Sequence, residues 1–278
     1  MTKIVADTTC GLPLAMLAEL GIPVVPQIVT FGEQSFRDDT ELTTDEFLQK
    51  LKASPVLPKT AAPIPALYTP IFAEAAKAGE AVIVVAPSIK VSGTIRSAQL
   101  AALDFPRADI RIIDTQTIAG CLGSMVLVAH EMAVRGASAT EIVACLEEMI
   151  PRSRTYFVLD TLEYLQKGGR IGGARALLGE LLQVKPILQI RDGQVESFEQ
   201  ERTKKRATAR MVEIVCEQAK SAAASHLCVM HIDAEAEARA VCDVLETRLR
   251  LDRIPVYLLP PAIVVHAGPK ALAVGFFI

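Results

Sequence analysis

Apolar and polar positions follow two different periods along the first half of the chain. Short aliphatic runs such as Ala81–Ala86 (AVIVVA) are apolar at every position, which is typical of a strand covered on both faces. Stretches with helical periodicity separate these runs, and the proline-rich residues 55–65 are predicted to form a loop. The pattern predicts strands at residues 3–6, 23–29, 81–86 and 110–113, and helices at residues 14–20, 43–51, 66–78, 94–103 and 118–134. Such alternation predicts a doubly wound, mostly parallel sheet.

The second half of the chain is predicted to fold differently. A strand at residues 155–159 precedes two helices that meet at Gly168-Gly169, and residues 184–195 form a hairpin that turns on Asp192-Gly193. The other predicted elements are helices at residues 203–221 and 235–249 and strands at residues 227–232, 256–259 and 273–278. Hairpins combined with helices indicate an α+β domain with a mixed or antiparallel sheet. We therefore predict an N-terminal α/β domain at residues 1–160 and a C-terminal α+β domain at residues 161–278.

The amino-acid composition indicates an aliphatic core and argues against a nucleic-acid-binding protein. Apolar residues make up 51% of the chain, whereas aromatic residues make up 5% and Trp is absent, so the core must be mostly aliphatic. The net charge of −3 argues against nucleic-acid binding, which needs a basic excess on one face. The basic segment at residues 201–210 (ERTKKRATAR) is either a solvated helix face or a binding surface.

Cysteine spacing and the N-terminus predict a cytoplasmic protein. The six cysteines show no CxxC or Cys/His ligand spacing, so they are predicted to be reduced thiols that bind no metal. The N-terminal residues lead directly into a strand without the pattern of a signal peptide. No window contains about 18 uninterrupted apolar residues, so no membrane-spanning helix is expected.

Polar residues follow several of the predicted strands. In doubly wound folds, ligands bind at the carboxyl ends of the strands. In this chain, hydroxyl side chains are frequent at those positions. The loops concerned are Asp7-Thr8-Thr9, Lys59-Thr60, residues 88–94 (SIKVSGT) and Asp114-Thr115. Each hydroxyl has two interpretations: it caps the next helix, as Ser92 would, or it joins a neutral pocket for an anion.

The chain lacks the common catalytic motifs. It contains no GxSxG elbow and no HExxH zinc motif, and its GGRIGG segment fits neither GxGxxG nor the phosphate loop. The four histidines are far apart in the sequence. His266 lies between an apolar stretch, interpreted as a strand, and a Gly-Pro turn, and it is either a turn residue or a functional one.

Residues 162–174 (LEYLQKGGRIGGA) form the most informative stretch. Glycine at 168 and 169 can end a helix at little steric cost, and Arg170 follows directly. This corner either aims a permanent positive charge at a ligand or partner, or is an ordinary turn with a solvated arginine.

Taken together, seven segments resemble the DegV family nearly from end to end. They are IVADTTCGLP, PKTAAP, SIKVSGTIRSAQ, residues 162–188, the Asp-Gly hairpin, ERTKKRA and HAGPKALAVGFF. The resemblance implies two domains with a tunnel between them that binds one long-chain fatty acid. It also implies a partner, an ATP-dependent fatty acid kinase, to which the protein presents the carboxylate before it carries the acyl phosphate. No cofactor and no catalytic residue are implied.

The resemblance also assigns roles to individual residues. Thr60 and Ser92 match the hydroxyl residues that hydrogen-bond the lipid carboxylate, and His266 matches a histidine at the edge of the head-group site. Arg170 and Arg202 match basic residues associated with that site and with the kinase.

Some positions depart from the family pattern. Ala61 and Ala62 replace a Ser and a Gln, Gly11 stands where Asp is common, and Lys270 and Ala273 stand where glycine is usual. Because Thr60 is kept, we expect binding to survive; the departures bear on the head-group network, chain preference and choice of kinase.

Two other functions are compatible with the sequence. One is a lipid store or sensor that works without a kinase. The other is a serine acyl hydrolase with Ser92 as nucleophile, His266 as base, and Asp7 or Asp114 orienting the base.

Overall fold

Three sheets, ten α-helices and four short 3₁₀ helices occur in the part of the chain that the computed structural model describes, which is residues 2–179, 184–219 and 226–278. The strands are β1 Thr2–Asp7, β2 Val24–Val25, β3 Ile28–Phe31, β4 Gln34–Arg37, β5 Lys59–Ala61, β6 Ala81–Ala86, β7 Ile110–Asp114, β8 Ser153–Val158, β9 Lys185–Arg191, β10 Gln194–Glu201, β11 Cys228–His231, β12 Val256–Leu258 and β13 Leu272–Phe277. The helices are α1 Leu14–Glu19, α2 Thr44–Ala53, α3 Thr69–Ala78, α4 Thr94–Ala102, α5 Gly120–Val134, α6 Ala139–Met149, α7 Glu163–Lys167, α8 Lys204–Gln218, α9 Glu235–Leu249 and α10 Pro261–Ala267.

The first sheet is parallel and has the strand order β2-β1-β6-β7. Ile83 and Val85 of β6 pack on one face against α5 and α6, whereas Val82 and Val84 pack on the other against α3 and α4. This double coverage explains why β6 is apolar at every position. The predicted doubly wound sheet is therefore confirmed.

The second sheet is mixed and has the strand order β10-β9-β8-β13-β11-β12, in which only β11 and β12 run parallel. Helices α8 and α9 cover one face. The predicted hairpin is confirmed: Asp192 (φ 50°) and Gly193 (φ 78°) form the turn, and both have the positive φ that a two-residue hairpin turn favours. The predicted α+β half with a mixed sheet is therefore confirmed.

The sequence interpretation of residues 23–29 as one strand was wrong. Pro26 has no N–H to donate, and the chain there leaves the parallel sheet after β2 and enters a separate antiparallel sheet, β4-β3-β5, at β3. The predicted loop at residues 55–65 likewise contains β5, whose Thr60 pairs with Val29.

Three helical regions also differ from the prediction. Helix α6 was missed, although Ser138 and Glu141 form a complete capping box at its start. A 3₁₀ helix at Gly172–Gly179 follows the Gly-Gly-Arg corner, and the rest of the predicted second helix lies outside the described residues. The helix predicted at 203–221 begins one residue later, at Lys204, with Thr203 as its N-cap, and Gln218 is the last residue of α8; residues 220 and 221 are outside the description.

The division of the chain at residue 160 stays a prediction. Strand β8 pairs with β9 and β13, so a division made by sheets alone falls before residue 153.

Candidate functional site

A cavity of about 120 Å³ lies where the carboxyl edge of the parallel sheet meets the face of the mixed sheet that α8 and α9 leave uncovered. Along β8, Thr155 and Phe157 line this cavity, whereas Tyr156 and Val158 pack toward α8. The apolar lining includes Ile118, Phe157, Leu159, Leu165, Ile190 and Val195. The polar lining includes Thr9, Gln27, Thr60, Ser92, Arg170 and His266.

Thr60 and His266 form a direct hydrogen bond although 206 positions separate them in the sequence. The distance between Thr60 Oγ1 and His266 Nε2 is 2.8 Å. Strand β5 supplies Thr60, and His266 lies in the last turn of α10, so the prediction of a strand before His266 was wrong. Proline is common at the first position of a helix, and Pro261 occupies that position in α10. The apolar residues that follow it gave the sequence the pattern of a strand.

The His266 imidazole is neutral at neutral pH. Burial, and to a lesser extent the positive charge of Arg170, lower the pKa of His266 to about 4. Its Nδ1 atom is buried without a hydrogen-bond partner in the described structure. When Nε2 carries the proton, it donates to Thr60, and the hydroxyl proton of Thr60 is then free for an acceptor in the cavity.

Ser92 lies two residues before helix α4. The helix begins at Thr94 as predicted, and its N-cap residue is Gly93, so the interpretation of Ser92 as N-cap does not hold. Ser92 Oγ nevertheless accepts a hydrogen bond from the Thr94 backbone N–H at 3.2 Å and contacts Thr94 Oγ1 at 3.0 Å. Its hydroxyl is thus held at the start of α4, where backbone N–H groups favour an anion.

Arg170 joins the Gly-Gly-Arg corner to the Ser92 loop. Its Nη1 donates to the Gly168 carbonyl at 2.7 Å, and its Nε donates to the Val91 carbonyl at 3.3 Å. The guanidinium is half-buried and lines the cavity. It therefore supplies a fixed positive charge beside a group of neutral donors.

Arg202 does not join this group. Its side chain is exposed, it directly precedes the N-cap of α8, and it is not part of the cavity lining. The structure therefore brings Thr60, Ser92, Arg170 and His266 together and leaves Arg202 on the surface.

Gln27 lines the cavity and was missed by the sequence reasoning. It follows Pro26 at the point where the chain changes sheets, and its Nε2 donates to Asp7 Oδ2 at 2.7 Å and to Thr94 Oγ1 at 2.9 Å. A single polar residue within the apolar run PVVPQIV was the available signal.

Two buried carboxylates lie behind the cavity. Asp7 accepts hydrogen bonds from Thr9, Gln27 and Thr94, and Asp38 accepts from Thr8 and the Gln27 backbone. Burial raises the pKa of Asp7, and it raises the pKa of Asp38 to about 7. Gln27 connects the two acids, because its side chain donates to Asp7 and its backbone N–H donates to Asp38.

The side chains required for a serine hydrolase are not connected in this structure. His266 Nε2 is bonded to Thr60, Ser92 Oγ is bonded to Thr94, and Asp7 is bonded to neither His266 nor Ser92. Asp114, at the carboxyl end of β7, accepts from the Ile89 and Gln116 backbone N–H groups. A Ser–His–Asp chain, in which each group orients the next, is thus not formed by these residues.

The described residues offer neither a metal-binding cluster nor a membrane-spanning helix. Within residues 2–179, 184–219 and 226–278, no group of three or more His, Cys, Asp or Glu side chains could hold a metal ion. Of the helices in these ranges, none combines the length and apolar character that crossing a bilayer requires.

Known proteins resemble the whole chain. The model of a family described as "Uncharacterised protein, DegV family COG1307" matches residues 1–278. A DegV domain-containing protein of Streptomyces coelicolor is 36% identical over 274 residues, which cover 98% of this chain and 96% of that protein. The protein DegV of Bacillus subtilis is 32% identical over 272 residues, which cover 98% and 97% of the two chains.

Solved structures show the same fold. A fatty-acid-binding DegV-family protein from Thermus thermophilus has a TM-score of 0.92 and 32% identity, with 99% of each chain covered. The structure of DegV from Bacillus subtilis, a fatty-acid-binding protein, has a TM-score of 0.88 and 30% identity over 100% of this chain and 99% of that one. The match extends over all three sheets and all seven of the segments noted in the sequence, and the chain belongs to the DegV family.

Proposed function

We propose that this protein binds one long-chain fatty acid, with the carboxylate between Thr60 and Ser92 and the acyl chain along the apolar lining of the cavity. The observation that carries the proposal is the convergence of hydroxyl donors, a neutral imidazole and Arg170 at one end of an otherwise apolar cavity. Fatty-acid binding by the Thermus thermophilus and Bacillus subtilis relatives supports it.

The acyl chain supplies the driving force. Burial of about 14 methylene groups at about 0.8 kcal/mol each gives on the order of 11 kcal/mol before ordering and association costs. The cavity of about 120 Å³ is smaller than the roughly 300–1,000 Å³ of typical small-molecule sites. Binding therefore requires aliphatic side chains of the lining to move apart.

The head group needs donors because a buried, unpaired carboxylate is very unfavourable. Hydroxyl groups of Thr60 and Ser92 donate without adding charge, and Arg170 lies close enough to lower the pKa of His266. Neutral hydroxyl groups can also donate hydrogen bonds to a larger anionic head group, so the same site suits an acyl phosphate. We accordingly propose that the protein presents the carboxylate to a separate ATP-dependent fatty acid kinase and carries the acyl phosphate.

Native mass spectrometry of the purified protein tests the binding proposal. We expect one fatty acid per chain, either co-purified or taken up on incubation with palmitate. Denaturing extraction of the same sample identifies chain length and unsaturation. A protein that emerges without lipid and takes up no fatty acid would contradict the proposal.

Arg202 tests the kinase proposal. Arg202 is exposed outside the cavity, and no ion pair of its side chain occurs in the described residues, so the Arg202→Glu change reverses a free surface charge. We expect unchanged fatty-acid affinity and about three- to tenfold slower kinase-dependent acyl phosphate formation, because rim charges chiefly affect the association rate. Lys205→Glu is the matched control, since Lys205 is also exposed and lies in the same segment.

The outcomes separate the functions. Loss of lipid uptake in Arg202→Glu would place Arg202 in the pocket. Equal rates for Arg202→Glu and Lys205→Glu would exclude a specific role for Arg202. Wild-type protein that binds fatty acid but supports no acyl phosphate formation with the kinase of its own genome would favour the lipid store or sensor.

A further inference from the structure

A chain of hydrogen bonds connects the cavity to a fully buried carboxylate. Ser92 Oγ lies 3.0 Å from Thr94 Oγ1, and Thr94 Oγ1 lies 2.7 Å from Asp7 Oδ2. Thr94 is inaccessible to solvent and Asp7 is 1% exposed, whereas Ser92 lines the cavity. The proposed carboxylate position is therefore linked to Asp7 through two hydroxyl groups.

The protons of this chain have a defined direction when Asp7 is ionised. Thr94 Oγ1 has a single proton, and the carboxylate of Asp7 is its strongest acceptor within reach. Thr94 Oγ1 also accepts from Gln27 Nε2, so its remaining lone pair faces Ser92. Ser92 is then the donor in its bond to Thr94, and the hydroxyl protons of Ser92 and Thr94 both point away from the cavity.

A bound carboxylate requires the opposite orientation of the Ser92 and Thr94 hydroxyl protons. The ligand needs the Ser92 proton, which the chain directs toward Thr94. The ligand also brings a second negative charge near the buried charge of Asp7, and like charges in a site of low dielectric disfavour each other. One proton added to Asp7 removes both conflicts, because Asp7 can then donate to Thr94, Thr94 to Ser92, and Ser92 to the ligand.

We infer that Asp7 is a positioning residue of the head-group site, which takes up one proton when an anionic lipid binds and thereby turns the Ser92 hydroxyl toward the ligand. The inference rests on the proposed function. The proton comes from solvent, the hydroxyl groups only rotate, no covalent bond of the ligand changes, and the net charge of the site stays constant.

Other titratable groups face Asp7 or the cavity. Asp38, Cys10 and Tyr68 lie within electrostatic range of Asp7. Burial raises the pKa of Cys10 to about 12 and raises the pKa of Tyr68, so neither changes charge near neutral pH. Asp38 contacts Thr8 and the Gln27 backbone N–H, and no rotating hydroxyl joins it to Ser92. His266 and Arg170 lie in the cavity lining itself.

Isothermal titration calorimetry measures the proton directly. Hexadecanesulfonate is the probe because its head group does not titrate, and each titration is repeated in two buffers with different ionisation enthalpies from about pH 6 to about pH 9. For the wild-type protein we expect uptake that approaches one proton per ligand within this range. The affinity then increases by up to about tenfold for each unit that the pH falls, since the slope of log Kd against pH equals the number of protons taken up.

Asp7→Asn is nearly isosteric and cannot take up the proton. We expect it to bind the sulfonate with uptake close to zero and with an affinity that is almost independent of pH. Asp38→Asn is the matched control, because it removes a neighbouring buried carboxylate that is not connected to Ser92, and it should keep the wild-type uptake.

Several outcomes would overturn the inference. If the wild-type protein binds the sulfonate without proton uptake at any pH, the inference is refuted. This result does not depend on whether any variant folds. Uptake that persists in Asp7→Asn but disappears in Asp38→Asn or His266→Gln would assign the proton to another group. Failure of the wild-type protein to bind either palmitate or the sulfonate would refute the proposed function instead.

Discussion

Thr60→Val is expected to weaken fatty-acid binding by about 10- to 100-fold, which corresponds to roughly 1.4 to 2.7 kcal/mol. The substitution removes the hydroxyl that the carboxylate would accept from, and it also leaves His266 Nε2 without its hydrogen-bond partner at 2.8 Å. Valine has nearly the shape of threonine and suits a strand, so β5 should remain paired with β3. Displacement of a fluorescent fatty acid by palmitate measures the affinity.

Thr60→Ser is the control for this experiment. It keeps the hydroxyl and loses one methyl group, and we expect an affinity within about threefold of the wild-type value. An affinity of Thr60→Val equal to that of Thr60→Ser would show that the carboxylate lies elsewhere. A large loss in both variants would indicate that the methyl group, and therefore packing, is what matters at this position.

Gly168→Ala is expected to reduce both stability and ligand binding. A Cβ atom at residue 168 would overlap Nδ1 of His266 and would lie 3.0 Å from its Cε1, so the imidazole must move. Gly168 has φ −77°, a conformation that alanine adopts freely, so the expected cost is one of packing. We expect a destabilisation of about 1–3 kcal/mol and about tenfold weaker fatty-acid binding, because a displaced ring no longer supports Thr60.

Gly169→Ala supplies a control one residue away. Gly169 has φ +71°, but apart from its chain neighbours no atom of the described residues lies within 4 Å of an added Cβ, so the change strains the backbone without touching His266. We expect a loss of about 1 kcal/mol in the free energy of unfolding and no change in affinity. Urea unfolding and lipid titration of both variants check the pair, and equal effects on affinity would refute the distinction.

The sequence predicted much of the fold because local signals agreed with the tertiary structure. The run Ala81–Ala86 is a strand with both faces covered, and Thr43 caps α2 with a complete capping box. The errors arose where a local signal was weak or misleading. Pro26 marks a change of sheet within what the sequence presents as one strand, and Pro260-Pro261 begins a helix within an apolar run.

Part of the candidate site could likewise be predicted from the sequence, and part of it could not. The polar loops after β1 and β6 could be predicted to meet, because the carboxyl ends of neighbouring parallel strands lie at one edge of a sheet. The bond between Thr60 and His266 could not, because it depends on how β5 and α10 pack against β3. The hydrogen bonds that join Thr94, Gln27 and Asp7 likewise depend on tertiary packing, although the polar residue within PVVPQIV was a signal for Gln27.

By itself, the sequence determined the two kinds of sheet, the family, and the residues that merit testing, because periodicity, glycine positions and motif spacing are properties of the chain. Only the tertiary structure decided that Thr60, Ser92, Arg170 and His266 share one cavity and that Arg202 lies outside it. The physical reason is that a site built from distant segments is fixed by packing between elements. Neither the direction of a side chain nor the protonation of a buried acid is encoded in local sequence.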